Sequence, residues 1–266
     1  MYDRFNRKIN YLRISVTDRC NLRCVYCMPE EGVKLLDHKD ILTFDEIVQV
    51  TKTAVRKGVD KVRLTGGEPL VRKDIVDLVR MIGEIEGIKD YGMTTNGILL
   101  DRFAKDLAKA GLQRVNISLD TMNAEKYKQI TRLGDIQKVF DGIKAAREAG
   151  LEPIKINCVV KNSSQEPDAV EVAEFGRKNN FPVRFIKEMD LETGSFSVVE
   201  GGSGGDCAHC NRLRLTSDGQ IKPCLFSDLG YSVRELGAEK AIDLALQNKP
   251  KSGYSNHTGK FYNIGG

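Results

Sequence analysis

Strand-like and helix-like segments alternate six times along this chain, and that alternation dictates the class of fold. Six short runs, most of them rich in Val, Ile or Leu, cover residues 11–16, 61–64, 91–93, 114–119, 154–160 and 183–189. Such runs are typical of buried parallel strands, and a helix-like stretch follows each of them. The pattern predicts a parallel sheet with helices outside it. Six units suit an incomplete barrel or a doubly wound sheet.

Several helix boundaries follow from local patterns. Thr43 is followed three residues later by Glu46, which is the capping-box pattern of a helix start. Further amphipathic segments cover about 74–85, 102–110, 136–149 and 169–179. Two of these segments stop just before Gly111 and Gly150, as helices commonly do before a glycine.

Polar and glycine-rich residues cluster where the predicted strands end. They occupy residues 17–27, 65–69, 94–97 and 118–120 after the first four strands, Lys155 and Asn157 on the fifth, and 187–189 at the end of the sixth. In parallel α/β folds the carboxyl ends of the strands share one face, and sites form there. We therefore expect most of these residues to lie together at the carboxyl ends of the strands.

Charge and hydropathy exclude several classes of protein. The chain has 266 residues, and 41 basic against 37 acidic side chains leave a formal net charge of +4. This charge is too small to predict binding to nucleic acid, so attraction to anions must come from local clusters. No apolar run approaches the roughly 20 residues that span a bilayer, and the N-terminus lacks the apolar core of a signal peptide. We expect a cytoplasmic protein that binds neither nucleic acid nor a membrane.

Three of the seven cysteines form a C-x3-C-x2-C pattern at Cys20, Cys24 and Cys27. Three thiolates on one short loop can hold three irons of a [4Fe–4S] cube and leave the fourth iron open to a small molecule. Structural zinc is the competing interpretation, but it requires four closed ligands. No fourth ligand is near in sequence, and we expect His38 to face solvent. Unliganded thiols this dense on a polar loop would be reactive.

A second group of three, Cys207, Cys210 and Cys224, lies near the C-terminus. We interpret it as a second [4Fe–4S] site with an open iron close to the substrate. His209 lies between two of the cysteines and leaves a zinc site as the alternative. Cys158 belongs to neither group, and we expect it in the core.

Basic residues near these groups indicate a pocket for an anion. Arg212 and Arg214 alternate along an extended segment and so face one side, where two guanidinium groups suit phosphate oxygens. An exposed hairpin with incidental charge is the alternative. Arg13, Arg63 and Lys155 lie on predicted strands, where a buried cation without an anion is costly. Together they predict a cationic pocket for a polyanion such as a nucleoside triphosphate.

Composition divides the chain into three regions. Residues 1–190 hold the strand–helix units, residues 191–206 are rich in Gly and Ser, and residues 207–266 hold the second cysteine group and a short tail. The run Gly201-Gly202-Ser203-Gly204-Gly205 has almost no side chain to pack and predicts a flexible linker.

The cysteine loop, with an aromatic residue before its last cysteine, resembles that of the radical S-adenosylmethionine (SAM) superfamily. The Gly66-Gly67-Glu68-Pro69 segment after the second strand is similar to the superfamily motif that meets the SAM amino group. The resemblance implies an incomplete (βα)6 parallel barrel with a C-terminal cluster-binding extension. It also implies that SAM chelates the open iron and is cleaved to a 5′-deoxyadenosyl radical.

Within the superfamily the chain resembles the GTP 3′,8-cyclases of molybdenum-cofactor biosynthesis. The matching segments are residues 11–18, 62–69, 94–97, 116–120, 184–186 with Met189, 210–214 and the terminal Ile264-Gly265-Gly266. In this family the terminal glycines enter the active site. The family carries several tens of residues more between Met189 and Cys207, where this chain has the Gly/Ser run.

The resemblance implies a role for individual residues. Cys20, Cys24 and Cys27 would hold the SAM cluster, and Tyr26, Gly67, Ser118 and Met189 would line SAM. GTP would contact Arg13, Arg63, Thr94, Lys155, Arg212 and Arg214. Cys207, Cys210 and Cys224 would hold the second cluster, whose open iron would meet the guanine. Among these residues, the first cysteine group, Arg212 and Arg214 are the ones expected to be essential for catalysis.

The reaction implied by the resemblance begins with abstraction of hydrogen from ribose C3′ and continues with attack of the carbon radical on C8 of the purine. The product is 3′,8-cyclo-7,8-dihydro-GTP. Expected partners are an electron donor such as flavodoxin or ferredoxin and the downstream cyclic pyranopterin monophosphate synthase, and the resemblance allows a homodimer.

Three alternatives stay open at this point. One is a radical SAM enzyme that modifies a peptide or small molecule and carries an auxiliary cluster; Arg212, Arg214 and the terminal glycines argue for GTP instead. A second is a trimmed cyclase with impaired activity. The third is an electron carrier without catalysis, which would require four protein ligands for each cluster.

Overall fold

A computed structural model describes residues 1–190 and 193–257 of the protein. Over these residues the strands are β1 Tyr11–Ser15, β2 Lys61–Thr65, β3 Asp90–Thr95, β4 Arg114–Ser118, β5 Lys155–Val160, β6 Val183–Lys187, β7 Arg212–Leu215, β8 Gln220–Lys222 and β9 Tyr231–Ser232. The helices are α1 Phe44–Arg56, α2 Ile75–Gly83, α3 Leu100–Lys109, α4 Ala124–Thr131, α5 Ile136–Glu148, α6 Pro167–Asn179, α7 Val233–Leu236 and α8 Ala238–Gln247. The terminal Ile264-Gly265-Gly266 lies outside the described residues.

The strands form one sheet in the order β6-β5-β4-β3-β2-β1-β7-β8-β9. The first six are parallel neighbours joined by helices, and β7 adds a further parallel strand beside β1. The last two strands are antiparallel. Strands β6 and β9 stand at opposite ends of this order, so the sheet does not close. The predicted incomplete (βα)6 barrel with a C-terminal extension is confirmed, and that extension continues the same sheet.

The predicted helix boundaries correspond to observed caps. Thr43 accepts a hydrogen bond from the Glu46 amide at 3.3 Å, and the Glu46 carboxylate accepts one from the Thr43 amide at 2.7 Å. Gly111 and Gly150 follow α3 and α5 with φ of +98° and +76°, a conformation that suits glycine. The sequence did not predict α4, because this short helix buries few side chains and so lacks an apolar stripe.

The two faces of the parallel sheet differ in polarity. On β1, Leu12 and Ile14 are buried in the hydrophobic core that the helices cover, whereas Tyr11 and Arg13 alternate with them onto the other face. Cys158 is part of the same core, as predicted. The helices therefore occupy one side of the sheet, and the concave side is left for polar residues.

The Gly/Ser run lies against the edge strand β6. Phe185 and Glu200 exchange two backbone hydrogen bonds of 3.0 and 3.2 Å, and the Val199 amide donates to the Gly204 carbonyl at 2.7 Å. Gly201 has a φ of +74° and approaches the Val183 carbonyl so closely that a side chain would not fit. These contacts give the run defined hydrogen bonds. The division into residues 1–190, 191–206 and 207–266 stays a prediction.

None of the helices in the described part of the chain is both long and apolar enough to cross a membrane. The cytoplasmic location stays a prediction.

Candidate active site

The concave face of the sheet brings the predicted anion-binding residues together. Arg13 on β1 is in register with Arg63 on β2 and with Arg214 on β7. Thr94 on β3 is in register with Asn116, which is in turn in register with Lys155. Residues in register on parallel strands point the same way, so these side chains share one face. Arg212, two residues before Arg214, lies on it too.

Tyr11 lies at the centre of the arginine group. Its hydroxyl accepts a hydrogen bond from Arg63 Nε at 2.8 Å, and the Arg212 guanidinium lies 5.7 Å from the centre of its ring. Burial would raise the pKa of Tyr11, but the charges of Arg13, Arg63 and Arg212 outweigh it and lower this pKa to about 8. The positive potential of this face is therefore strong enough to favour an anion.

Several buried donors on this face lack a partner within the described residues. Arg63 is only 2% exposed, yet one of its terminal nitrogens makes no hydrogen bond. The Nε atoms of Arg184 and Arg212 and the Thr94 hydroxyl are also buried without a partner. Because unsatisfied buried polar groups are costly, their convergence fits an anionic ligand with many acceptor oxygens. Burial and the nearby charge of Arg212 also lower the pKa of Arg214 to about 10.

Three further cations on this face, Lys61, Arg114 and Arg184, were not predicted from the sequence. Asp90 forms ion pairs with Lys61 at 2.9 Å and with Arg114 at 2.6 Å. Arg184 is in register with Asn157 on β5 and lowers the pKa of Lys155, a shift in which burial is the larger cause. The alternation of basic and apolar residues along each strand could have revealed these cations, because it indicates that one face of the sheet is polar.

Two glycines fix the loop that carries the first cysteines. The Gly67 amide donates to the Thr17 carbonyl at 2.8 Å, and the next amide donates to the Arg19 carbonyl at the same distance. A side chain on Gly67 would overlap the Arg19 carbonyl, and one on Gly66 would lie 2.8 Å from the Thr17 carbonyl. The two loops can therefore pack backbone to backbone only because both positions are glycine.

Glu68, whose role the sequence did not reveal, connects this turn to the next strand. Its buried carboxylate accepts hydrogen bonds of 2.7 Å from the Thr95 hydroxyl and from the Asn96 amide. Burial raises the pKa of Glu68 to about 7, although these hydrogen bonds oppose the shift. The Asn96 side chain donates to Asn21 Oδ1 at 2.8 Å and lies 4.0 Å from the Cys20 sulfur. One carboxylate thus joins the two strand-end motifs to the cysteine loop.

The first cysteine group lies on a loop that is partly open to solvent. Cys20 and Cys24 are half-buried and Cys27 is exposed, so the loop has one open side. Burial raises the pKa of Cys20 and of Cys24 to about 12, and the negative charge of Cys27 adds to both shifts. Three thiolates at this spot need positive charge beside them, which the irons of a [4Fe–4S] cluster would supply.

Tyr26, Gly67 and Ser118, three of the residues expected around SAM, lie on this loop, on the turn packed against it, or at a strand end. The Tyr26 hydroxyl donates to the Asp120 carboxylate at 2.7 Å, and the same carboxylate accepts from the Val159 amide at 2.8 Å. Ser118 is the last residue of β4. Asp120 therefore fixes the ring of Tyr26 against the carboxyl ends of β4 and β5.

The second cysteine group is held by the N-terminal segment. Arg7 donates to the Cys207 carbonyl at 2.7 Å and forms a buried ion pair of 2.6 Å with Asp3. His209, the zinc ligand of the alternative interpretation, points to solvent with an 82% exposed side chain and contacts Asp206 at 2.8 Å. Among the described residues, no three His, Cys, Asp or Glu side chains converge on a single metal ion.

The two cysteine groups lie at opposite ends of neighbouring strands. Cys20 follows the carboxyl end of β1, whereas Cys210 precedes the amino end of β7, and these parallel strands pair from Tyr11 with Arg212 onward. A five-residue strand is about 17 Å long, and the arginine face lies along it. Met189, which was expected to line SAM, packs with Cys224 of the second group against a small apolar cluster that contains Phe226. The arginine face lies along the strands between the two cysteine groups.

Comparison with known proteins agrees with this geometry. The family model described as the Radical SAM superfamily matches residues 14–176, and the model described as Molybdenum Cofactor Synthesis C matches residues 170–260. A GTP 3′,8-cyclase of Thermodesulfovibrio yellowstonii is 40% identical, and the match covers 97% of each chain. A GTP 3′,8-cyclase of Alkaliphilus oremlandii is 42% identical over 86% of this chain and 84% of that protein.

Solved structures with low identity share the fold. The structure of native anSMEcpe with bound AdoMet has a TM-score of 0.66 at 18% identity and covers 91% of this chain and 81% of that one. The Streptococcus suis SuiB structure bound to S-adenosylmethionine has a TM-score of 0.65 at 17% identity and covers 91% and 66%.

The fold and the cysteine loop thus define a radical SAM protein, which uses a [4Fe–4S] cluster and SAM. Within that class, the chain belongs to the GTP 3′,8-cyclase family of molybdenum-cofactor synthesis.

Proposed function

We propose that this protein converts GTP to 3′,8-cyclo-7,8-dihydro-GTP, the first step of molybdenum-cofactor biosynthesis. The observation that carries the proposal is the arginine face between the two cysteine groups, with its buried guanidinium nitrogens that lack partners. A triphosphate supplies the acceptor oxygens that such a face requires. Family membership supplies the reaction class.

Cys20, Cys24 and Cys27 hold the SAM cluster in this proposal, while Tyr26, Gly67, Ser118 and Met189 line SAM. Bound together, cluster and SAM supply the radical that removes hydrogen from the ribose. The protein itself orients the two reactants, SAM and GTP. Asp120 fixes the Tyr26 ring through a 2.7 Å hydrogen bond, and Gly67 seats the neighbouring turn on the cysteine loop.

Arg13, Arg63, Thr94, Lys155, Arg212 and Arg214 bind GTP in this proposal. They project from paired strands, so their backbone positions are fixed before the ligand binds. Binding of the triphosphate also relieves the repulsion among neighbouring guanidinium groups. The ribose and base are thereby held between the two cysteine groups.

In this proposal Cys207, Cys210 and Cys224 would hold a second [4Fe–4S] cluster, and its open iron would bind the guanine. Residues 1–190 then form the SAM-binding barrel, residues 191–206 a connection, and residues 207–266 the region of the second cluster. An electron donor such as flavodoxin or ferredoxin, the downstream cyclic pyranopterin monophosphate synthase and a homodimeric assembly complete the proposal.

The test is formation of 5′-deoxyadenosine by reconstituted, reduced protein with SAM, with and without GTP. Replacing Arg212 with Ala removes charge-assisted hydrogen bonds worth about 1.5–3 kcal/mol each. We therefore expect kcat/KM for GTP to fall roughly 10- to 100-fold, because about 1.4 kcal/mol corresponds to a factor of ten. Arg80→Ala, which removes an exposed arginine on α2, is the matched control. Cleavage of SAM that is indifferent to both GTP and the Arg212 change would overturn the substrate assignment.

A further inference from the structure

Lys249 is a buried lysine beside the second cysteine group, and the reaction described above does not use it. It follows α8 and is only 2% exposed. Its ammonium donates to the Arg212 carbonyl at 2.8 Å and to the Pro223 carbonyl at 2.5 Å. These two carbonyls lie two residues after Cys210 and directly before Cys224. One ammonium therefore joins both chain segments that carry the second group.

A buried ammonium needs an anion, because two neutral carbonyls do not offset the loss of its hydration. Within the described residues, no carboxylate forms an ion pair with Lys249. Its two hydrogen-bond partners belong to a residue two positions from Cys210 and to the residue directly before Cys224, so the ammonium lies beside both chain segments of the second group. The groups placed to balance its charge are thus the cysteines of the second group.

We propose that Lys249 is a positioning residue that supplies the fixed positive charge for the second cysteine group. It holds together the two segments that carry Cys210 and Cys224, which enter β7 and leave β8 side by side, so that a cluster can assemble there. A fixed positive charge beside a cluster also stabilises its reduced form and raises its reduction potential. The inference rests on the second cluster of the proposed function.

The first arm of the test counts iron at the second group alone. In a chain with Cys20, Cys24 and Cys27 replaced by Ala, anaerobic reconstitution is expected to give about four irons. Lys249→Met keeps the apolar length of the side chain and removes its charge. We expect this variant to lose more than half of that iron. Lys251→Met, which removes an exposed lysine two residues away, is expected to keep all of it.

The second arm measures the reduction potential of the iron that remains. In Lys249→Met we expect a lower midpoint potential and a changed EPR spectrum, which a purely structural role would leave alone. Unchanged iron content and potential would overturn the inference and leave the second cluster standing. If the parent chain without its first cysteine group binds no iron, the second cluster fails and the inference falls with it.

A third arm separates this role from general misfolding. In the chain with all its cysteines, Lys249→Met is expected to keep the iron of the first group and its binding of SAM. Loss of the first site together with a lower melting temperature would show that Lys249 serves the fold as a whole, and would overturn the specific assignment.

Discussion

Gly67 shows how a single missing side chain can position a cofactor site. The turn at Gly66 and Gly67 packs on the backbone of residues 17–19, immediately before the first cysteine. Any side chain at Gly67 would overlap the Arg19 carbonyl, and that atom is backbone and cannot swing away. The position of the cysteine loop against the sheet therefore depends on this glycine.

Replacing Gly67 with Ala should lower the free energy of unfolding by about 1–3 kcal/mol, as overpacking does elsewhere. It should also reduce iron bound at Cys20, Cys24 and Cys27, because the loop is displaced. Urea unfolding and iron analysis check this. Gly230→Ala is the control, since its nearest neighbours are flexible side-chain atoms of Gln220 at 3.3 Å and beyond. Equal behaviour of the two variants would contradict the proposed packing.

Some residues of the site could be predicted from the sequence, and others could not. Arg13, Arg63 and Lys155 could be singled out because a basic residue on a buried strand is unusual. Tyr11 and Glu68 could not, because a tyrosine in a strand is ordinary and a glutamate in a turn is usually exposed. Their roles arise from neighbours distant in the chain, such as Arg212 for Tyr11 and Asn96 for Glu68.

The start of helix α1 is tied to the C-terminal helices by one carboxylate. Glu46 completes the capping box with Thr43 and also accepts two hydrogen bonds from Arg234, at 2.7 and 3.0 Å. The bond from Arg234 is the main reason why the pKa of Glu46 is lowered to about 2. The Arg234 guanidinium also binds the carbonyls that precede α1.

Replacing Glu46 with Gln should destabilise the protein by about 0.5–1 kcal/mol at neutral pH, because Gln can still cap the helix but loses the ion pair. The lowered pKa means that this contribution is fully present above pH 4.5. It is lost as the pH falls towards 2, where parent and variant should become equal. Urea unfolding over this range checks it, with the exposed Glu125→Gln on α4 as control. A difference that does not depend on pH would contradict the role of the charge.

The strands and helices were easier to predict from the sequence than the pairing of distant strands. All six predicted strands are present, and most of them concentrate apolar residues on the helix-covered face. Helix α4 was missed because its stability comes from the Asn123 cap and from packing of Tyr127, which leaves no apolar period. The pairing of β7 with β1 could not be predicted either, since some 200 residues separate the two strands.

The chain as a whole places a cationic face between two cysteine groups. The pairing of β7 with β1 sets Arg212 and Arg214 beside Arg13, and it also sets the second cysteine group at the far end of the same strands. This local concentration of arginines explains why a sequence of small net charge can bind a polyanion.

GTP that binds to the arginine face with its ribose next to SAM should lose a hydrogen from C3′, and GTP that carries deuterium at this carbon reports the transfer. Reconstituted and reduced protein, given SAM and this GTP, should produce 5′-deoxyadenosine that contains one deuterium, whereas GTP labelled at other ribose carbons should not transfer its label. Unlabelled 5′-deoxyadenosine from the C3′-deuterated substrate would show that the ribose does not lie next to SAM.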